Sequence, residues 1–231
     1  MGQAGKKYRA ALEKVDREKR YPLEEACVLL SGLKIAKFDE SVDVSINLGV
    51  DPKQSDQQVR GAAVLPHGLG KTIRVLVIAK GDKADEAKAA GALEVGDEAL
   101  IEKIAGGWLE FDKLVATPDM MAKVSKLGKI LGPRGLMPNP KLGTVTFEVA
   151  KAVKELQSGK VEFRVDKAGI VHASIGRLSF GAEKIQDNIK VLIDALVRLK
   201  PPTSKGIYLK SMVLSSTMGP GIRIDSQGLQ A

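Results

Sequence analysis

The sequence predicts an α/β chain of two domains: a discontinuous α+β two-layer outer domain with an inserted Rossmann-like three-layer α/β domain. Three observations carry this. Residues Val42 to Val50 place an apolar side chain at every even position, the mark of a strand with one buried and one wet face. Residues Ile73 to Ala79 are instead almost continuously apolar, as in parallel strands covered on both faces. From residue 160 the half-wet alternation returns in Val161–Val165. Half-wet segments thus flank a buried-sheet segment, and 231 residues suffice for two cores. The outer domain is expected at 1–66 plus 160–231 and the inserted domain at 67–159. The adjacent crossings near Pro66 and Gly159 would act as a hinge.

Element by element, residues 6–20 mix both charges with Leu12 and Val15 and read as a surface helix. Pro22 opens a second helix to about Leu33, with Glu24 and Glu25 at the positive end of its dipole. After the alternating strand come a polar loop, Asp51 to Arg60, and a short strand near Ala62–Leu65. Beyond Ile73–Ala79, helical and extended segments alternate as in a doubly wound unit. Helices are expected over Asp82–Gly91, Asp97–Ile104, Pro118 to about Leu131, and Thr146 (as cap) to Gln157; extended segments are expected at Ala92–Val95 and Leu114–Thr117. In the last segment Lys167-Ala168-Gly169 turns Val161–Val165 into Ile170–Ile175 as a hairpin. Ile185, Ile189, Leu192, Ile193, Leu196 and Val197 form a helical stripe that Pro201-Pro202 ends. Ile207–Ser215 and Gly221–Asp225 read as closing strands.

Composition narrows the chemistry. The net charge of +8 favours polyanion partners, nucleic acid before membrane. No window approaches 18 apolar residues and no signal peptide is evident, so neither membrane span nor export is expected. The single cysteine, Cys27, lies in an apolar run and reads as a buried, inert thiol compatible with a reducing cytosol. His67 and His172 are the only histidines, too few for a metal site with that one cysteine, and no nucleophilic set stands at a recognised spacing. Gly68-Leu69-Gly70-Lys71-Thr72 looks like the tail of a phosphate-binding loop. However, Leu65 stands where the leading glycine belongs, and a strand rather than a helix follows. Gly132-Pro133-Arg134-Gly135 resembles a nucleotide-clamping GxxG loop, but Pro138 and Pro140 forbid the helix that should follow. Neither an enzyme nor a cofactor is expected. The runner-up is a generic nucleic-acid or nucleotide-binding α/β protein.

Charge is distributed unevenly. Residues 67–159 carry 14 basic and 12 acidic side chains, whereas 160–231 carry 11 and 6. Between Asp194 and Asp225 stand Arg198, Lys200, Lys205, Lys210 and Arg223 and no acid, which makes a positive face. That stretch ends in Ser215-Ser216-Thr217-Met218-Gly219-Pro220-Gly221, small and flexible enough for close approach by a partner. Aromatics make up only 4% of the chain, so stacking of bases on a sheet of aromatic rings is not expected.

At these residues the chain resembles the family of the large-subunit ribosomal stalk protein, ribosomal protein L-one. The matching stretches are Ala36–Val42, Asp51–Gly61, Leu65–Lys71, Ala116–Asp119, Leu131–Gly143, Phe163–Ala173 and Ser216–Gly221, in family order through nearly the whole chain. The resemblance implies the split two-domain fold, no catalysis, and an outer domain that holds the 23S rRNA stalk. It places the RNA face at Lys37, Phe38, Ser211, Thr217, Met218 and Gly219, with Arg164, Lys167 and His172 nearby. The one-sign stretch adds Lys205 and Lys210. Thr217 is expected to offer the RNA a hydroxyl, Gly219 a close backbone approach, and Met218 and Phe38 apolar contact. The partners implied are the large ribosomal subunit, exit-site tRNA and the protein's own operon mRNA, whose translation it would repress. The free protein would be a cytoplasmic monomer. Members usually show Arg-Asn-Asp-Lys where this chain has Arg164-Val165-Asp166-Lys167, so no hydrogen bond is available from that second side chain.

Overall fold

The computed structural model describes residues 5–225. In chain order, helices α1 (Lys6–Leu12) and α2 (Leu23–Ser31) precede strands β1 (Ser41–Leu48), β2 (Arg60–Val64) and β3 (Val75–Ile78). Then follow α3 (Asp82–Ala89), β4 (Glu94–Gly96), α4 (Glu98–Ala105), β5 (Lys113–Ala116), α5 (Met121–Val124), α6 (Gly128–Leu131) and α7 (Val149–Gln157). The chain closes with β6 (Lys160–Arg164), β7 (Ile170–Arg177), α8 (Ala182–Arg198), β8 (Leu209–Ser216) and β9 (Ile222–Ile224). Two compact units result, Met1–Gly70 with Val161–Ala231, and Lys71–Lys160.

The first unit is a two-layer α+β body. Its main sheet runs β7-β1-β8-β9, antiparallel throughout, and β2 with β6 forms a second, two-stranded sheet. The alternation of β1 does what its period demands. Val42, Val44, Ile46 and Leu48 are buried, while Ser41, Asp43, Ser45 and Asn47 stay partly exposed. The buried side meets α2 and the apolar stripe of α8 (Ile185, Ile189, Leu192, Ile193, Leu196) in one core. A polar residue, Asn188, also lies in that stripe and is fully buried. Its amide donates to Ile175 O at 2.8 Å and to Gly68 O at 3.2 Å, and its carbonyl accepts from His67 N–H at 3.2 Å. These bonds fasten the Pro66–Gly70 loop to α8, so the first unit continues to Gly70, four residues past the expected crossing at Pro66.

The second unit is a three-layer α/β body. Its parallel sheet has the order β4-β3-β5. Every residue of β3 is buried, as its unbroken apolar run requires. Leu76 and Ile78 face a core with Leu100, Ile104, Phe111, Met120, Val124 and Leu131. Val75 and Val77 point oppositely, to the side where α3 and α7 bury Ala87, Val149, Val153 and Leu156.

Several expectations are corrected. The first helix stops at Leu12 rather than near residue 20. Asp16 accepts the Glu18 N–H in a local turn that competes with further helix. The Pro118–Leu131 helix is broken into short α and 3₁₀ pieces. The helix expected from Thr146 begins at Val149, because the Thr146 hydroxyl accepts the Glu148 N–H in a turn of its own. The hairpin across Lys167–Gly169 is reduced to one bridge, Val165 to Val171, since β6 pairs with β2 and β7 with β1.

Candidate nucleic-acid interface

Among the described residues, the helices of the first unit join the core on one side of the main sheet and leave its other face uncovered by them. Strand register sets its layout. Ser45 lies opposite His172 of β7 and Val213 of β8, and Val213 lies opposite Arg223 of β9. Asn47 lies opposite Ile170 and Ser211. At about 3.3 Å per residue, the eight residues of β1 span roughly 26 Å, and four strands make the face about 14 Å wide.

One end of this face is organised by Glu40, which is fully buried. Its position follows from phase, since residue 40 continues the buried series 42, 44, 46, 48 of β1. One carboxylate oxygen accepts from Ile35 N–H at 2.9 Å and Ala36 N–H at 2.7 Å. The other accepts from the Ser216 hydroxyl at 2.7 Å and Met218 N–H at 3.1 Å. Burial pushes its pKa up, but the bonds from Ala36, Ser216, Met218 and Ile35 together outweigh that and hold it below 4.5. This one carboxylate therefore clamps the loop before β1 to the loop after β8. The first loop presents Lys37 and Phe38, the second Thr217, Met218 and Gly219. Phe38 and Met218 are 54% and 52% exposed, and the clamp holds their two loops together. Asp39 reinforces the arrangement, accepting from Ser179 N–H and Oγ while its carbonyl accepts from the Arg177 guanidinium at 2.8 Å.

Two sequence expectations change here. The Thr217 hydroxyl is engaged within the chain: it accepts the Ser41 N–H at 2.9 Å and donates to Ser41 O at 3.3 Å. Gly219 has an internal reason, because a Cβ there would stand 2.5 Å from the Ser216 hydroxyl that bonds Glu40. Both residues shape the loop before anything approaches it.

The opposite end carries cations. Between the pairs Asn47–Ser211 and Leu48–Leu209, Lys210 has no partner on β1, so it is the extra residue of a β-bulge. The bulge exposes both Lys210 and Ser211, where strict alternation would bury one of them. Arg164, the last residue of β6, and Lys167, on the β6–β7 connection, are exposed at this end. Asp166 between them is occupied, accepting from Ala168 N–H and Ile170 N–H and lying 3.5 Å from His172 Nε2. His172 Nδ1 in turn lies 3.0 Å from the Ser45 hydroxyl, which fixes the ring mid-face. Hydrogen bonding by the Ile170 N–H is the largest influence on the Asp166 carboxyl and holds its pKa low. The Val165 side chain is buried and its N–H donates to Val59 O at 2.9 Å, so it belongs to the core and not to the face. Lys205 lies outside the strands of the face, in the loop where Ser204 donates to Gly49 O.

Electrostatically, the face differs from the second unit. There Glu98 bridges Lys80 and Lys123, Glu94 meets Lys103, and Asp112 meets Arg74 and Lys71. Lys37, Arg164, Lys167, Lys205 and Lys210 have no ion-pair partner among the described residues. The face does carry Asp43, between Ser174 and Ser215, which charge counting missed. No group of three or more metal-ligating side chains exists among the described residues, and no helix there is long and apolar enough to cross a membrane. Cys27 is buried, and burial pushes its thiol pKa up to about 11.

A split α+β unit with an inserted three-layer unit, an open polar sheet face, clamped apolar loops at one end and unpaired cations at the other define a two-unit α/β protein that presents an extended surface. The sequence profile of the ribosomal protein L1p/L10e family matches residues 30–220. The chain belongs to this family. It is 60% identical over 228 residues to the large ribosomal subunit protein uL1 of Bdellovibrio bacteriovorus, covering 99% of this chain and 97% of that one. It is 61% identical over 225 residues to the protein of the same name from Nitratidesulfovibrio vulgaris, covering 97% and 96%. The chain is thus a ribosomal protein of this family, and both of these relatives are named as proteins of the large ribosomal subunit.

Proposed function

We propose that the open face of the first unit binds the folded 23S rRNA stalk, and that the chain acts from there in the cytoplasmic ribosome. The supporting observation is the Glu40 clamp. It holds Phe38 and Met218 exposed on two loops far apart in sequence, a preformed apolar grip that generic charge attraction does not require. Met218 and Phe38 would pack on sugars and base edges. Lys37, Arg164, Lys167 and Lys210 supply phosphate contacts. Ser211 and His172 offer polar groups toward 2′-hydroxyls, and Thr217 and Gly219 hold the loop in shape. Lys205 adds long-range attraction only. Asp43 in mid-face disfavours a polyanion bound without regard to shape.

The same face would serve two addresses. The protein's own operon mRNA, if it copies the stalk's shape, would compete for it and be repressed. Moving with the stalk, the chain would take part in release of exit-site tRNA. Titration of the monomeric chain with stalk RNA and with scrambled RNA of equal length, at two salt concentrations, tests the reading. Preference for the stalk is expected. Equal affinity for both would leave only a generic polyanion binder. Lys210→Ala should reduce the slope of log K against log salt by about one.

A further inference from the structure

The β9 edge of this face holds a second cationic feature. Residues Arg20, Lys210, Ser211, Met212, Val213, Arg223 and Ile224 line a depression of about 270 Å³ with no acid among them. Its construction is specific. Tyr21 N–H donates to Arg223 O and Asp225 N–H to Tyr21 O, both at 2.9 Å, and Tyr21 pairs with Ile224 as a parallel bridge. The segment before α2 is thereby laid along β9 like a further strand, which brings Arg20 beside Arg223. The β8 bulge turns Lys210 toward the same place. Arg20, Lys210 and Arg223 are exposed, and none has an ion-pair partner among the described residues. Three cations around a hydroxyl, with no acid among the lining residues, make a local positive potential that attracts an anion. Two guanidinium forks with one ammonium suit phosphate oxygens.

We propose that this depression receives backbone phosphates of the RNA where its strand leaves the open face over the β9 edge. The inference rests on the RNA reading above and extends it past the strands that carry the grip. Arg20 and Arg223 are then phosphate-positioning residues without base readout.

The test compares the full chain with Arg20→Ala/Arg223→Ala and Arg20→Lys/Arg223→Lys, each titrated with labelled stalk RNA between 50 and 200 mM salt. Loss of two phosphate contacts lowers the salt slope by about 1.8, so the alanine variant loses roughly 12-fold less affinity across that range than the unaltered chain. The lysine variant keeps most of the slope. An unchanged slope in the alanine variant, while the unaltered chain still prefers stalk over scrambled RNA, overturns this site alone. Absence of that preference in the unaltered chain overturns the RNA reading and this site with it. Both arginines are exposed, and matching thermal unfolding of the three proteins excludes misfolding.

Discussion

Glu40→Gln isolates the clamp with almost no change in volume. In the native chain each carboxylate oxygen accepts two donors. The amide can keep its oxygen toward Ile35 and Ala36 and turn its nitrogen toward Ser216, whose hydroxyl can rotate to accept. The Met218 N–H then faces a donor and loses its partner. An unsatisfied donor costs about 1–3 kcal/mol, and the three surviving bonds weaken by about 1 kcal/mol each on losing the charge. Relief from burying that charge offsets part of this, which leaves a net destabilisation of about 2–4 kcal/mol at pH 7. Urea unfolding followed by circular dichroism measures it. Because the folded pKa lies below 4.5, the carboxylate stabilises the fold fully above that value and less as pH falls through the folded pKa. The gap between native and variant stability should therefore close in acid. With the Met218 loop loosened, stalk RNA affinity should fall about tenfold, or 1.4 kcal/mol. A variant as stable as the native chain at pH 7, with unchanged RNA affinity, would refute the clamp.

Met218→Ala should leave the unfolding midpoint unchanged, since half its surface is already in water, while weakening stalk RNA by about 1–3 kcal/mol in a binding titration. Thr217→Ala should weaken stalk RNA and also lose about 0.5–1.5 kcal/mol of stability with its Ser41 bonds, and Thr217→Ser should restore that stability. Gly219→Ala forces the Ser216 hydroxyl off Glu40 and should cost about 1–3 kcal/mol by denaturant titration; a neutral result would mean the loop has slack. Cys27, buried with its pKa near 11, should resist alkylation at pH 8 until urea unfolds the chain.

Much of this was legible in the residues because period reports burial. The alternation of β1, the unbroken apolar run of β3 and the stripe of α8 each predicted which side chains are covered. Period does not name a strand's neighbour, so β6 was assigned to β7 when it joins β2. It also does not say when a polar turn interrupts a charged helix, as Asp16 and Thr146 do. Glu40 and Asn188 carried a readable signal that went unused: each is a polar residue in phase with a buried stripe. The bulge at Lys210 had none, because it depends on the register between two strands about 160 residues apart. Phe38 and Met218 came from the motifs of the family resemblance, and Ser211 from the resemblance outside its matching stretches; their local chemistry alone would not have supplied them.

The strand order β7-β1-β8-β9 has a bearing on how the chain is made. Strand β1 is synthesised early yet sits between two strands that leave the ribosome only after the whole second unit has been translated. Until then a half-apolar ribbon has no ladder partner, whereas residues 71–160 can close their own sheet at once. The second unit should thus be native on a nascent chain while the first waits, and closing so long a loop slows its assembly. No nascent copy that stops short of β8 and β9 can present the finished face.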